Sequence, residues 1–115
     1  NIRRIGEVAS LFAEAGIIVI SAFISPYSSD RSLARKAVGE AFHEIYLSAD
    51  LAICEARDPK GLYKKAHSGE ISDFTGVSAP YEGPKRPDLI IDTGELSVEG
   101  SITLLMDYVD KVFRL

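Results

Sequence analysis

The densest cluster of chemically capable side chains is Arg57-Asp58-Pro59-Lys60-Gly61-Leu62-Tyr63-Lys64-Lys65, four cations in nine positions beside a glycine and the start of a helical pattern. Arginine offers phosphate a planar two-pronged contact, lysine a mobile point charge and a helix start free amide donors, so phosphate or sulfate groups suit this segment. A solvated helix face whose lysines maintain solubility is the plainer alternative. Phe74-Thr75-Gly76 lies in a polar loop rich in proline and glycine, where the ring either stacks on a nucleobase or anchors the loop in the core. The same two readings apply to Phe23 at the carboxyl end of an apolar run. Ser25, just beyond it, is placed to meet a ligand or simply to form the turn. Neither His43 nor His67 has a partner at metal-ligand spacing, and no H-E-x-x-H, G-x-S-x-G, EF-hand or C-x-x-C pattern occurs, so no metal-ligating residue is expected in this sequence. None of the nine glycines belongs to a phosphate-cradling G-x-x-x-x-G-K-S/T loop.

The elements that must position these residues alternate along the chain. Ile5, Val8, Ala9, Phe12 and Ala15 recur at helical spacing, predicting an amphipathic helix from Ile2 to Ala15 that Gly16 stops. The β-branched run from Ile17 to Phe23 reads as a strand buried on both faces. After the turn-rich Ser25-Pro26-Tyr27-Ser28-Ser29-Asp30, either Ser29 or Asp30 is expected to cap a short helix through Leu33, Ala34 and Ala37. A second strand is expected at Glu44 to Leu47 and a helix at Asp50 to Arg57, stopped at Asp58-Pro59 because a residue before proline is driven from helical angles. Leu62 to His67 reads as a polar helix, Ser72 to Pro87 as a surface loop and Leu89 to Ile91 as a third buried strand. Ser97 is placed to cap a last helix with Ile102, Leu105, Met106, Val109, Val112 and Phe113 on one face. Strands separated by helices imply an α/β fold with a parallel sheet flanked by helices, whose ligands gather at the carboxyl ends of the strands.

Composition bounds the rest. The 115 residues are 46% hydrophobic and 26% charged, close to an ordinary globular chain, and suffice for a single core. The net charge of −4 points away from a general nucleic-acid binder, which needs a cationic surplus. The longest apolar run, Ile17 to Ile20, is strand-sized and far short of the roughly 20 residues that span a bilayer, so no membrane partner is expected. A lone cysteine, Cys54, suits a reducing, cytoplasmic setting and reads as a small buried apolar residue. The opening Asn1-Ile2-Arg3-Arg4 carries neither a start methionine nor a signal-peptide core, so the chain is expected to begin inside something larger.

Phe23-Ile24-Ser25-Pro26, the block from Cys54-Glu55-Ala56-Arg57 through Lys60-Gly61-Leu62-Tyr63-Lys64-Lys65-Ala66, Gly69-Glu70-Ile71 and Phe74-Thr75-Gly76, in this order, closely resemble the adenylylsulfate kinase (APS kinase) family. The resemblance implies a P-loop kinase-like fold and transfer of the γ-phosphoryl group of ATP, with Mg2+, to the 3′-hydroxyl of adenosine 5′-phosphosulfate (APS), giving the sulfate donor PAPS in sulfate assimilation. It implies that Asn1, Phe23, Ile24, Ser25, Lys60, Asp73 and Phe74 bind substrate: Asn1 at a helix start, Phe23 to Ser25 lining the APS pocket, Lys60 reaching its anionic groups, and Phe74, after Asp73, packing on its adenine. Ser25 is the nominal catalytic residue, being described as a phosphoserine position in some bacterial relatives, although direct in-line transfer between the two nucleotides is the simpler chemistry. Arg57 resembles the arginine that covers the ATP adenine, with the loop after Asp92-Thr93 on its other side. Asp58 to Gly76 would form a mobile lid within one partial domain, 1–115, and a homodimer is a family-level expectation.

The sequence also departs from the family pattern. The P-loop and an Asp-Gly-Asp segment, which supplies the general base and organises magnesium in the family, belong before Asn1. Phosphoryl transfer rests on positioning and charge neutralisation, so this chain alone is expected to be inactive. About 60 further N-terminal residues are expected from usual α/β unit lengths. Ala22 stands where many relatives carry a hydroxyl residue, and Arg31 to Glu44 is a few residues shorter than usual. A non-catalytic APS- or PAPS-binding regulatory domain beside or fused to an ATP sulfurylase is the alternative reading.

Overall fold

In the computed structural model, which describes residues 1–114, helix α1 spans Ile2–Glu14 and ends as its sequence dictates. Gly16 takes the left-handed φ of 83°. It thereby turns its own amide onto the Ala13 carbonyl at 3.0 Å and that of Ile17 onto Phe12 at 3.1 Å, closing two carbonyls the helix leaves open. Two structural units emerge, each described by itself: Asn1–His43 with Pro80–Lys85, and Glu44–Ala79 with the described residues from Arg86 onward.

In the first unit α1 packs on α2 (Ser28–Val38), which a 3-10 turn, Gly39–Ala41, follows. The two helices meet at Gly6 and Ala34, both buried. A Cβ on Gly6 would stand 2.9 Å from the Ala34 Cα, so the crossing is set by the missing side chain. Gly6→Val is therefore expected to destabilise the folded protein by about 1–3 kcal/mol through overpacking, read from urea unfolding midpoints; an unchanged midpoint would remove this account of the crossing.

Two sequence expectations fail in this unit. Residues 17–23 form no strand: Ile17, Ile18, Val19, Ile20 and Phe23 lie exposed and unladdered. β-branched propensity needs a neighbouring strand to become a ladder, and the described sheet contains only two strands, which pair with each other. Nor does Ser29 or Asp30 cap α2. The helix starts earlier, with Tyr27 at the cap position and making no side-chain cap. The Glu82 carboxylate takes the cap's place, accepting from the Ser28 amide at 2.9 Å and its hydroxyl at 3.3 Å. Asp30 remains in the first turn, where a negative charge suits the helix dipole.

The second unit holds β1 (Ile45–Ser48) and β2 (Leu89–Asp92), parallel and in register from Ile45 opposite Leu89 to Ser48 opposite Asp92. This is the expected α/β arrangement with two strands rather than three. Between the strands run α3 (Leu51–Arg57) and α4 (Leu62–His67), and after them α5 (Val98–Phe113). Ser97 caps α5 as its sequence suggests, its hydroxyl accepting from the Gly100 amide at 3.0 Å. Helix α5 packs on β2, and Ile91 is 1% exposed, whereas Ile90 is 55% and Leu47 62% exposed. Leu47 stands in register with Ile91 on the same face, so burial on that face is confined to β2, and with Ile90 exposed Leu89 to Ile91 is not the wholly buried strand its apolar run implies. Among the described residues no helix is long and apolar enough to cross a membrane.

Candidate functional site

The first unit presents an open groove of about 620 Å3 between the start of α1 and residues 22–25. Its lining brings together Asn1, Phe23, Ile24 and Ser25, four of the residues the sequence nominates, with Ile5, Arg4 and Ala22. Asn1 occupies the N-cap position of α1, where its carbonyl accepts from the Ile5 amide at 3.0 Å, while its side chain makes no capping bond. The amide group is thus not consumed by the helix. Arg4, which the sequence reading passed over, adds a cation to the wall. Phe23 and Ile24 are 57% and 66% exposed, an apolar surface set beside these polar groups. A second groove of about 450 Å3 continues along α1 past Val8 and Phe12.

Ser25 holds a φ of 41°, unusual for a residue with a side chain. Its hydroxyl lies 3.4 Å from the Phe23 carbonyl, a weak local bond. Its carbonyl accepts from Arg31 Nη1 at 2.6 Å. The next carbonyl, of Pro26, accepts from the Glu82 amide at 2.8 Å. Sequence reasoning missed both Arg31 and Glu82, which are joined to each other across 51 residues and so leave no local pattern.

The second unit holds the remaining nominated residues. Arg57 ends α3 and donates from Nη2 to the Thr93 carbonyl at 2.7 Å. Thr93 is itself tied to the end of β1, its amide and hydroxyl donating to the Ser48 carbonyl at 2.8 and 3.1 Å. The cation therefore sits at the carboxyl ends of both strands, where the fold class expects a ligand.

Lys60 lies exposed in a tight turn closed by the Gly61 amide on the Asp58 carbonyl at 3.1 Å. Gly61 takes the left-handed φ of 65° that this turn requires. The Asp58 carboxylate fastens the far side, accepting from the Tyr63 and Lys64 amides at 3.1 and 3.2 Å. Asp73 is exposed at a φ of 51°. Phe74 is half-buried, its ring meeting Tyr63 edge-on with centroids 5.0 Å apart. Its carbonyl gathers the amides of Val77, Ser78 and Ala79, and its amide donates to the Ser78 hydroxyl at 2.8 Å. The ring is thus anchored on one side without being swallowed by the core.

Burial, then the charges of Cys54 and Glu55, a hydrogen bond to Cys54 and the Asp58 carboxylate push the Tyr63 hydroxyl above its ordinary value of 10.0. His67 Nε2 lies 3.4 Å from Glu55 Oε1 in the same cluster. Among the described residues no three His, Cys, Asp or Glu side chains gather to hold a metal ion.

Comparison with known proteins gives this arrangement a context. The family model described as adenylylsulphate kinase matches residues 1–92. The adenylyl-sulfate kinase of Bacillus pumilus is 61% identical over 111 residues, 95% of this chain and 56% of the relative. That of Prochlorococcus marinus is 66% identical over 95 residues, 82% of this chain and 47% of the relative. The chain spans about half the length of the curated relatives it matches. Among solved structures, the Mycobacterium tuberculosis APS kinase CysC in complex with AMPPNP and APS is similar with a TM-score of 0.88 at 41% identity, over 95% of this chain and 64% of that one. On a family match covering residues 1–92 and relatives this similar, the chain belongs to the adenylylsulphate kinase family.

Proposed function

We propose that the protein is an ATP-dependent kinase of adenosine 5′-phosphosulfate. The observation that carries this reading is the groove lined by Asn1, Phe23, Ile24 and Ser25 in a chain of this family. The similar structure bound to AMPPNP and APS supports ATP and APS as the two ligands. In the reaction a bond forms between the APS 3′-oxygen and the γ-phosphorus, and the bond from that phosphorus to the β,γ-bridging oxygen breaks. ADP and PAPS leave, and the 3′-hydroxyl proton passes to a base that no residue of this chain is assigned to be.

Within this reading the groove receives APS, with Asn1 and Ser25 offering polar contacts and Phe23 and Ile24 an apolar wall. Lys60 supplies a positive charge to the anionic groups, and Phe74 supplies a face for the APS adenine beside Asp73. Arg57, held by the Thr93 carbonyl, covers the ATP adenine. Asp58 to Gly76 acts as a lid whose closure excludes water and protects ATP from hydrolysis. Such positioning and charge neutralisation constitute most of phosphoryl-transfer catalysis, so direct transfer needs no covalent intermediate at Ser25. Mg2+ would accompany ATP; the described residues supply no donor set for it, and no step is routed through it. A cytoplasmic setting, a homodimer and an ATP sulfurylase partner or fusion complete the reading.

The test is a coupled assay of ADP release by the natural full-length polypeptide, comparing APS with other nucleotides. ADP release that depends on APS, with one PAPS formed per ADP, is the expected result. APS binding without ADP release would favour a non-catalytic regulatory module, and release indifferent to APS would sink the substrate assignment.

A further inference from the structure

Ser25 and Pro26 carry the groove wall into α2, yet no ladder or local cap holds them. What holds them is Arg31, a charged side chain only 8% exposed. Its planar fork bridges two carbonyls far apart in sequence, Ser25 through Nη1 at 2.6 Å and Glu82 through Nη2 at 2.5 Å. The Tyr81 ring centroid lies 5.9 Å from the guanidinium carbon. Glu82 closes the circuit by donating its amide to the Pro26 carbonyl at 2.8 Å and by capping α2 with its carboxylate. The loop at Pro80–Lys85 and the turn at Ser25 are thereby locked into one arrangement around a single buried cation.

Arg31 does not line either groove. It meets a wall residue through that residue's carbonyl, on a backbone whose left-handed φ of 41° needs outside support. We propose that Arg31 is a positioning residue for the substrate groove: by fixing the Ser25 carbonyl against the Glu82 strap it sets the geometry in which Ser25 and Ile24 meet APS. The inference rests on the kinase reading above. It gives a reason for burying an arginine here, because only a planar fork reaches both carbonyls, whereas a lysine ammonium is a single point charge.

The experiment uses the natural full-length polypeptide and steady-state ADP release with APS and ATP varied in turn. Arg31→Lys is expected to raise KM for APS about tenfold, leaving kcat and KM for ATP within about twofold, the pattern of lost ground-state positioning. Arg31→Met should raise KM for APS further, so that lysine rescues in part. Arg35→Met, the same exchange one turn along α2 where the guanidinium lies 4.8 Å from the Phe42 ring centroid, controls for general loss of stability and should leave KM for APS within about twofold. Should Arg31→Met fail to fold, Arg31→Lys carries the reading. An unchanged KM for APS in Arg31→Lys, failure of that variant to fold, or parallel rises for both nucleotides with a matching fall in melting temperature would overturn the proposal and leave Arg31 a structural role. A wild-type polypeptide without APS-dependent ADP release would overturn the kinase reading, and this proposal with it, before any variant is compared.

Discussion

Replacing Lys60 by alanine in the natural full-length polypeptide is expected to lower kcat/KM for APS about 10²-fold, the usual scale for deleting one preorganised charge or donor that faces developing negative charge. The expectation follows from the local build. Lys60 is the second residue after Asp58, and Asp58 fastens both ends of the turn, with its carbonyl to the Gly61 amide and its carboxylate to the Tyr63 and Lys64 amides. A long, exposed lysine would normally have little directional effect, but a turn tied in this way restricts where its ammonium can reach. Arginine at this position should restore only part of the loss, because a planar fork does not replace a compact point charge. Raising the ionic strength should narrow the gap between wild type and variant, since screening already weakens the interaction that alanine removes. Turnover and apparent APS affinity unchanged in Lys60→Ala would refute the assignment.

Phe74→Ala is expected to weaken APS binding by about 1–3 kcal/mol, the range for losing an aromatic face beneath a base. The ring's packing within the loop must be separated from its proposed stacking. Its edge-on contact with Tyr63 helps hold the loop, and pairs of this kind contribute about 0.5–1.5 kcal/mol. Stacking on adenine would add a contact only when substrate is present. Phe74→Leu keeps apolar bulk against Tyr63 but removes the aromatic face, so calorimetric titration with APS should show it nearly as weak as alanine, while its thermal stability stays closer to wild type. Full APS affinity in Phe74→Leu would make the ring a loop anchor and nothing more.

What a sequence shows of its own fold depends on the range of the interactions involved. Gly16 stops α1 and Ser97 caps α5 through bonds made within a few residues, and α3 ends just before Asp58-Pro59, so residue type and spacing carry the signal. The motif block from Arg57 to Phe74 was legible for a different reason: its residue types in order are distinctive even before any fold is known. The apolar run at Ile17 to Phe23 misled because propensity describes what a segment tolerates, and pairing depends on what lies beside it. Ser29 and Asp30 misled likewise, as local caps displaced by the Glu82 carboxylate, which lies 54 residues from the Ser28 amide it accepts from.

By itself, the amino-acid sequence determined the helices, their stops, the parallel α/β character and the family's motif block, because each is written in short-range periodicity, turn chemistry or contiguous motif. Only the tertiary structure decided which residues hold the site. It set Arg31 against Ser25 and Glu82, Arg57 against Thr93 and Tyr63 against Phe74, and it gathered Asn1 with Phe23, Ile24 and Ser25 around one groove. Most of these pairings join residues far apart along the chain, and the two nearer ones, Arg31 with Ser25 and Tyr63 with Phe74, depend on how the chain turns between them. A hydrogen bond or ring contact between them depends on the path of the backbone, and neither partner's neighbours in the sequence record it.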